Sequence, residues 1–154
     1  DHALIGGLAL GGHGIHRATV DVDFLVDGSR RLDAVGALRA AGFHVQAETP
    51  EVMHLTGVGP LDLLLANRPP SRKMLDRAIK DQRLGLKCVV MEDLIGLKIQ
   101  AFCNEPRRAL QDQADIVSLV SANPRRVDWS KIKEYADMFD AWPLIEELRR
   151  KHGL

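Results

Sequence analysis

The sequence predicts an α/β (α+β) fold, a small mixed sheet with flanking helices followed by a C-terminal helical segment. Short β-branched or aliphatic runs bounded by Gly, Pro and Asn recur up to residue 91, among them Thr19–Val26 and Leu61–Ala66. Beyond that point the apolar spacing becomes helical, with Leu94, Ile95, Leu97, Ile99 and Phe102 on one stretch. The chain's 154 residues, 45% hydrophobic and 27% charged, suit one globular unit that buries its own core. Residues 1–91 are therefore read as an α/β core and 92–154 as a helical segment packed on it in a single compact unit.

The elements follow in order. His2–Gly6 is a short buried strand, and Gly7–His13 a small glycine-rich helix. Thr19–Val26 is the next strand. Ser29 caps a helix over Arg30–Ala41 that stops at Gly42. Phe43–Ala47 and Val52–Gly57 flank Pro50 as two short strands, and Leu61–Ala66 is a third. Ser71 caps a helix reaching Lys80, and Leu86–Met91 is the last strand. Helices then cover Glu92–Cys103 and Arg107–Ser121, breaking at Asn123-Pro124. Asp128 or Ser130 caps a final helical stretch in which Pro143 starts a new turn.

Composition excludes several classes. Lys+Arg and Asp+Glu are 21 each, so a nucleic-acid coat is not expected, although a local basic patch remains open. The apolar runs fall far short of the roughly 20 residues a membrane span needs. Asp-His-Ala-Leu is not the basic start of a secretory signal, and the two cysteines, Cys88 and Cys103, form no ligand cluster. A cytoplasmic protein is expected. The chain begins without methionine, directly on a strand, which leaves room for a preceding segment.

The chemistry concentrates in Gly6-Gly7, a gap of thirteen residues, and then Asp21-Val22-Asp23-Phe24. Alternation along a strand puts Asp21 and Asp23 on one side, about 6.6 Å apart. Two like charges on a core strand call for a cation, and a hard divalent ion with phosphate oxygens is the natural one. Asp62 interrupts an otherwise aliphatic strand and is the third candidate, at a strand end or facing that cation. Gly6 and Gly7 close a strand and open a helix, where backbone N–H groups can receive phosphate.

These residues resemble the signature of the nucleotidyltransferase superfamily. The string from Leu4 to Val26 is closer to its AbiEii-like and minimal nucleotidyltransferase branch. His13, Gly14, Arg17, Thr19, Asp21 and Asp23 match that branch's first motif. Glu92, Asp93, Leu94 and Lys98 match a later one, and Arg107 or Arg108, Asp112, Asp115 and Ile116 another. The resemblance implies NMP transfer from an NTP to a hydroxyl or phosphate acceptor, which could be RNA such as tRNA, protein or a small molecule. It implies Mg²⁺ (or Mn²⁺) held by Asp21, Asp23 and Asp62, with Gly6, Gly7, Arg17, Thr19 and Lys98 near phosphate. It also implies a toxin–antitoxin or defence role with a cognate partner. The alternative is a non-catalytic nucleotide-binding or toxin–antitoxin module on the same fold.

Other patterns weigh less. Arg17 and Thr19 suit a structural salt bridge as well as phosphate, and Lys98 suits a solvated helix face. Asp112 and Asp115, i,i+3 on a helix, are expected to pair with Arg107 or Arg108 or to fix the tail. His13 and His16 lack further ligands for zinc. Lys73, Arg77 and Lys80 share a helical face and offer a track for triphosphate or RNA. Gly12-x-Gly14 lacks the third glycine of a dinucleotide fingerprint and leads into a strand.

Overall fold

The computed structural model describes residues 1–154, and its contacts divide them into two compact units. Residues 1–12 and 17–90 form the sheet unit; residues 13–16 and 91–154 form the helical unit. The division falls between Val90 and Met91, and the loop His13–His16 goes with the helices. There Asn123 Nδ2 donates to the His13 carbonyl at 3.3 Å.

The sheet unit is built from β1 (His2–Ile5), α1 (Gly6–Gly12), β2 (Val22–Asp27), α2 (Arg31–Ala40), β3 (His44–Glu48), β4 (Val52–Thr56), β5 (Leu61–Ala66), α3 (Pro69–Arg77), β6 (Ile79–Lys80) and β7 (Lys87–Cys88). The seven strands make one mixed sheet in the order β3-β4-β5-β2-β1-β7-β6. β2 runs parallel to β5 and antiparallel to β1, and β4 runs antiparallel to both β3 and β5.

Directly opposed residues share a face of a pleated sheet. Leu61, Leu63 and Leu65 of β5 thus join Val26 of β2 and Met53 and Leu55 of β4 in one buried cluster. Val35 and Leu38 of α2 pack on that face. The opposite face carries Asp23, Leu25, Asp62 and His54. α1 packs on β1 and β2, and α3 lies against β2 and β5 with Met74 and Leu75 buried.

The helical unit consists of α4 (Met91–Asn104), a 3₁₀ turn at Pro106–Arg108, α5 (Ala109–Ala122), α6 (Trp129–Asp137) and α7 (Trp142–His152). α4 packs on α5 and α6, and α7 closes against both of those. Asp128 caps α6, its carboxylate accepting the N–H groups of Ser130 and Lys131. The Ser130 hydroxyl donates to the same oxygen, and this bond, ahead of the backbone ones, holds the carboxyl below its ordinary 3.8. No helix is long and apolar enough to cross a membrane.

Several sequence expectations shift. β2 begins at Val22, three residues later than expected, because neither neighbour offers a partner earlier: Leu61 faces Val22 and Ile5 faces Asp23. Val20 is 81% exposed accordingly. α2 is preceded by a 3₁₀ turn, Gly28–Arg30, capped by Asp27, with Ser29 donating to it. α3 starts at Pro69 instead of being capped by Ser71, since proline suits a first helical position. It ends at Arg77, where Ala78 turns extended and leads into β6, so Lys80 leaves the helical face assigned to Lys73 and Arg77. The last strand shrinks to Lys87–Cys88.

Candidate functional site

The site starts from strand register. In the parallel β2–β5 pair Asp23 stands directly opposite Asp62, and in the antiparallel β4–β5 pair Asp62 stands opposite His54. On the other flank Asp23 is opposite Ile5, the last residue of β1. The row Ile5–Asp23–Asp62–His54 therefore crosses four strands on one face, with neighbouring backbones about 4.8 Å apart. Asp23 and Asp62 are half-buried and His54 is exposed.

Gly6 sits immediately beyond Ile5 and adopts φ +63°, a left-handed conformation that favours glycine. A Cβ there would lie 1.9 Å from Asp23 Oδ2, so the carboxylate occupies the space the missing side chain leaves open. Gly7 plays the same part for its neighbours. A Cβ would come within 2.9 Å of the Thr19 side chain and 3.0 Å of an Arg17 terminal nitrogen. The two glycines thus let Asp23, Thr19 and Arg17 close over the β1–α1 turn. Thr19 Oγ1 donates to the Asp21 carbonyl at 3.4 Å, and Arg17 donates to the Ala18 carbonyl at 3.1 Å.

Asp21 lies just before β2 and is exposed. It stays two residues from Asp23 but outside the ladder. No group of three or more His, Cys, Asp or Glu side chains is disposed to hold a metal ion, so the structure does not assemble Asp21, Asp23 and Asp62 into a ready three-carboxylate cage. The donor chemistry nevertheless fits a hard divalent cation. Two carboxylates face each other in register, and Mg²⁺ is ordinarily held by one or two carboxylates together with substrate phosphates.

Sequence reasoning missed His54. Its Nδ1 lies 2.7 Å from Asp62 Oδ1. The signal was present: a hairpin folded about Gly57–Pro60 brings His54 opposite Asp62, each a polar side chain flanked by apolar ones in its strand.

Lys98, Asp112 and Asp115 come together within the helical unit. The Lys98 ammonium on α4 is 3.0 Å from Asp112 Oδ1 and 2.6 Å from Asp115 Oδ2 on α5, with all three side chains 5% exposed or less. Arg108 Nε adds a contact to Asp112 at 3.2 Å, and Gln111 donates to Asp115 at 3.0 Å. The charge of Lys98 is thus committed to two carboxylates. Burial also holds the Cys88 and Cys103 thiols above their ordinary range.

Neither a protein-family model nor a functionally characterised protein matches the sequence itself. Solved structures do match. The antibiotic-resistance factor ANT(2″)-Ia, in complex with adenylyl-2″-tobramycin, superposes with a TM-score of 0.70 at 14% identity, covering 92% of this chain and 87% of that one. The lincosamide antibiotic adenylyltransferase LnuA, lincomycin-bound, gives 0.60 at 17% identity over 80% and 87% of the two chains. An antigenic nucleotidyltransferase-like protein from Paracoccidioides brasiliensis gives 0.55 at 16% identity over 97% and 84%. Together with the seven-stranded mixed sheet and its flanking helices, these matches establish that the chain has the nucleotidyltransferase fold.

Proposed function

We propose that the protein is a metal-dependent nucleotidyltransferase that moves an NMP from an NTP to a hydroxyl or phosphate acceptor. The observation that carries this reading is the in-register pairing of Asp23 and Asp62 beside the Gly6 turn. The acceptor oxygen attacks the α-phosphorus, a new P–O bond forms, and the bond from that phosphorus to the bridging oxygen breaks to release pyrophosphate. Asp62 takes the proton when the acceptor is a hydroxyl. Asp21 and Asp23 would hold a divalent ion, with Asp62 as the further ligand. When bound, a divalent ion (Mg²⁺ or Mn²⁺) neutralises charge developing on the phosphate oxygens. Gly6, Gly7, Arg17 and Thr19 receive the polyphosphate. Lys98 drops out of that set because its ammonium already serves Asp112 and Asp115.

Two acceptor classes have support. The structural neighbours named for tobramycin and lincomycin favour a small hydroxylated molecule. The AbiEii-like motif around Arg17, Thr19, Asp21 and Asp23 favours RNA or protein in a toxin–antitoxin or defence pair.

The test incubates the protein with each α-labelled NTP, Mg²⁺ and, separately, bulk tRNA, tobramycin, lincomycin and a neighbouring gene's product. Label should move to one acceptor, and Asp23→Asn should reduce transfer by about 100-fold or more, as expected for loss of a metal-site ligand. Full activity in Asp21→Asn, Asp23→Asn and Asp62→Asn would refute the assignment. Calorimetric Mg²⁺–NTP binding without transfer to any of these acceptors would identify a nucleotide-binding module instead.

A further inference from the structure

We infer that His54 is a positioning residue for Asp62, fixing which carboxylate oxygen is presented to the reaction. The inference rests on the nucleotidyl-transfer reading of the same site and adds to it a residue outside the sequence motif.

The argument begins with the hydrogen bond. An ionised carboxylate only accepts, so with Nδ1 at 2.7 Å from Asp62 Oδ1 the imidazole must be the donor. The neutral ring is thereby held as the Nδ1–H tautomer, with Nε2 carrying the lone pair. The bond restrains the Asp62 side chain and occupies Oδ1, leaving Oδ2 as the oxygen the imidazole does not engage. Oδ2 is thereby the oxygen presented to the reaction.

Register shows why His54 is placed for this and for little else. It lies one strand beyond Asp62, on the same face, continuing the row that begins with Asp23. On its other side its cross-strand partner is Ala47, a small side chain with no polar group to compete for the ring. The His54 and Asp62 side chains are 48% and 35% exposed. An exposed polar contact of this kind contributes little to stability. No apolar packing explains a histidine between Met53 and Leu55, whose own side chains go to the opposite, buried face. Orientation of Asp62 is the work left to it.

The experiment has two arms. In the unliganded protein, ¹⁵N imidazole spectra at alkaline pH should show His54 as the Nδ1–H tautomer. In Asp62→Ala, which removes the acceptor, it should relax toward Nε2–H. In steady-state transfer with labelled ATP and the acceptor found above, His54→Ala should lower kcat by roughly 10-fold, as orienting partners of active-site ligands do, with KM for Mg²⁺–ATP changed less than about twofold. His54→Gln, whose amide can still donate, should recover most of kcat. Melting curves of both variants should match the parent.

An Nε2–H tautomer in the parent protein overturns the proposal, and so does a His54→Ala variant with unchanged kcat. If His54→Ala does not fold, His54→Gln and the tautomer decide. A parent protein that transfers nothing defeats the nucleotidyl-transfer reading and this inference together. A parent protein that transfers while His54→Ala transfers equally well defeats this inference alone.

Discussion

Asp23 fills the space that a side chain on Gly6 would need: a Cβ there would stand 1.9 Å from Oδ2 and 2.6 Å from Cγ. The glycine is fixed twice over, because its φ of +63° is also strained for any other residue. A site carboxylate and the turn beside it are therefore one mechanical unit, set by the antiparallel register that ends β1 opposite Asp23.

Gly6→Ala tests this coupling. Left-handed backbone at a non-glycine residue costs on the order of 1–3 kcal/mol, before the collision with Asp23 is counted. For a chain of this size each kcal/mol lowers the melting temperature by about 2–4 °C. The variant should melt several degrees below the parent and lose transfer by more than its unfolded fraction accounts for, because Asp23 has moved. Calorimetry and initial rates below the transition check both. A variant equal to the parent in melting and rate would show that the turn accommodates a side chain.

Lys98 offers a sharper contrast between two roles. Its ammonium is buried between Asp112 and Asp115, and removing one member of a buried ion cluster leaves charge uncompensated. Such losses run to about 3–5 kcal/mol. Lys98→Met should thus lower the melting temperature by roughly 6–20 °C. Combining it with Asp115→Asn should restore part of the loss, because one orphaned carboxylate is gone. If Lys98 instead served mainly to bind phosphate, Lys98→Met would melt like the parent and raise KM for Mg²⁺–NTP.

The sequence discloses those parts of this molecule that follow from local pattern. Leu61–Ala66 forms the expected strand with unchanged bounds, because it alternates between a leucine-lined buried face and a second face carrying Asp62. Asp128 caps α6 as one of its two expected residues. What stayed hidden depends on partners. Thr19 and Val20 have strand-forming side chains, yet no neighbouring strand reaches them, and Asp21 falls off the end of β2 as a result. β6 and β7 are two residues each, too short to show a period. Lys98 on an amphipathic helix reads as solvated until α5 supplies Asp112 and Asp115 fourteen residues and more away. His54 is legible only once the β4–β5 hairpin is folded on paper. The first glycine-aspartate motif was visible because its spacing is local to one strand–helix–strand passage.

Tyr135 supplies another buried contact. Its hydroxyl donates to Asp93 Oδ1 at 2.6 Å, and Asp93 is fully buried on α4. Gly96, one turn further along α4, leaves room for the ring, since a Cβ there would meet it at 2.6 Å. Tyr135→Phe removes a donor to a buried carboxylate and should destabilise by about 1.5–3 kcal/mol. Gly96→Ala should be at least comparably harmful, because the ring it strikes is itself buried. Equilibrium denaturation of the two variants reads both values.

Acid sensitivity follows from the helix caps. The Asp128 carboxyl is held below its ordinary 3.8, first by the Ser130 hydroxyl and then by the Lys131 and Ser130 backbone N–H groups. Asp27 is lowered in the same direction, through the hydroxyl and N–H of Ser29. A depressed folded-state value means that the unfolded chain takes up protons first. The stabilisation from each cap is therefore complete above 3.8 and disappears as pH falls through the lower folded-state value. Asp128→Asn keeps an oxygen acceptor for the α6 N–H groups but cannot titrate. Its melting temperature should sit below the parent's at neutral pH and converge on it as the solution is acidified past that window. A gap between the two proteins that stays constant across the whole acid range would mean that the charge of Asp128 adds nothing to the cap.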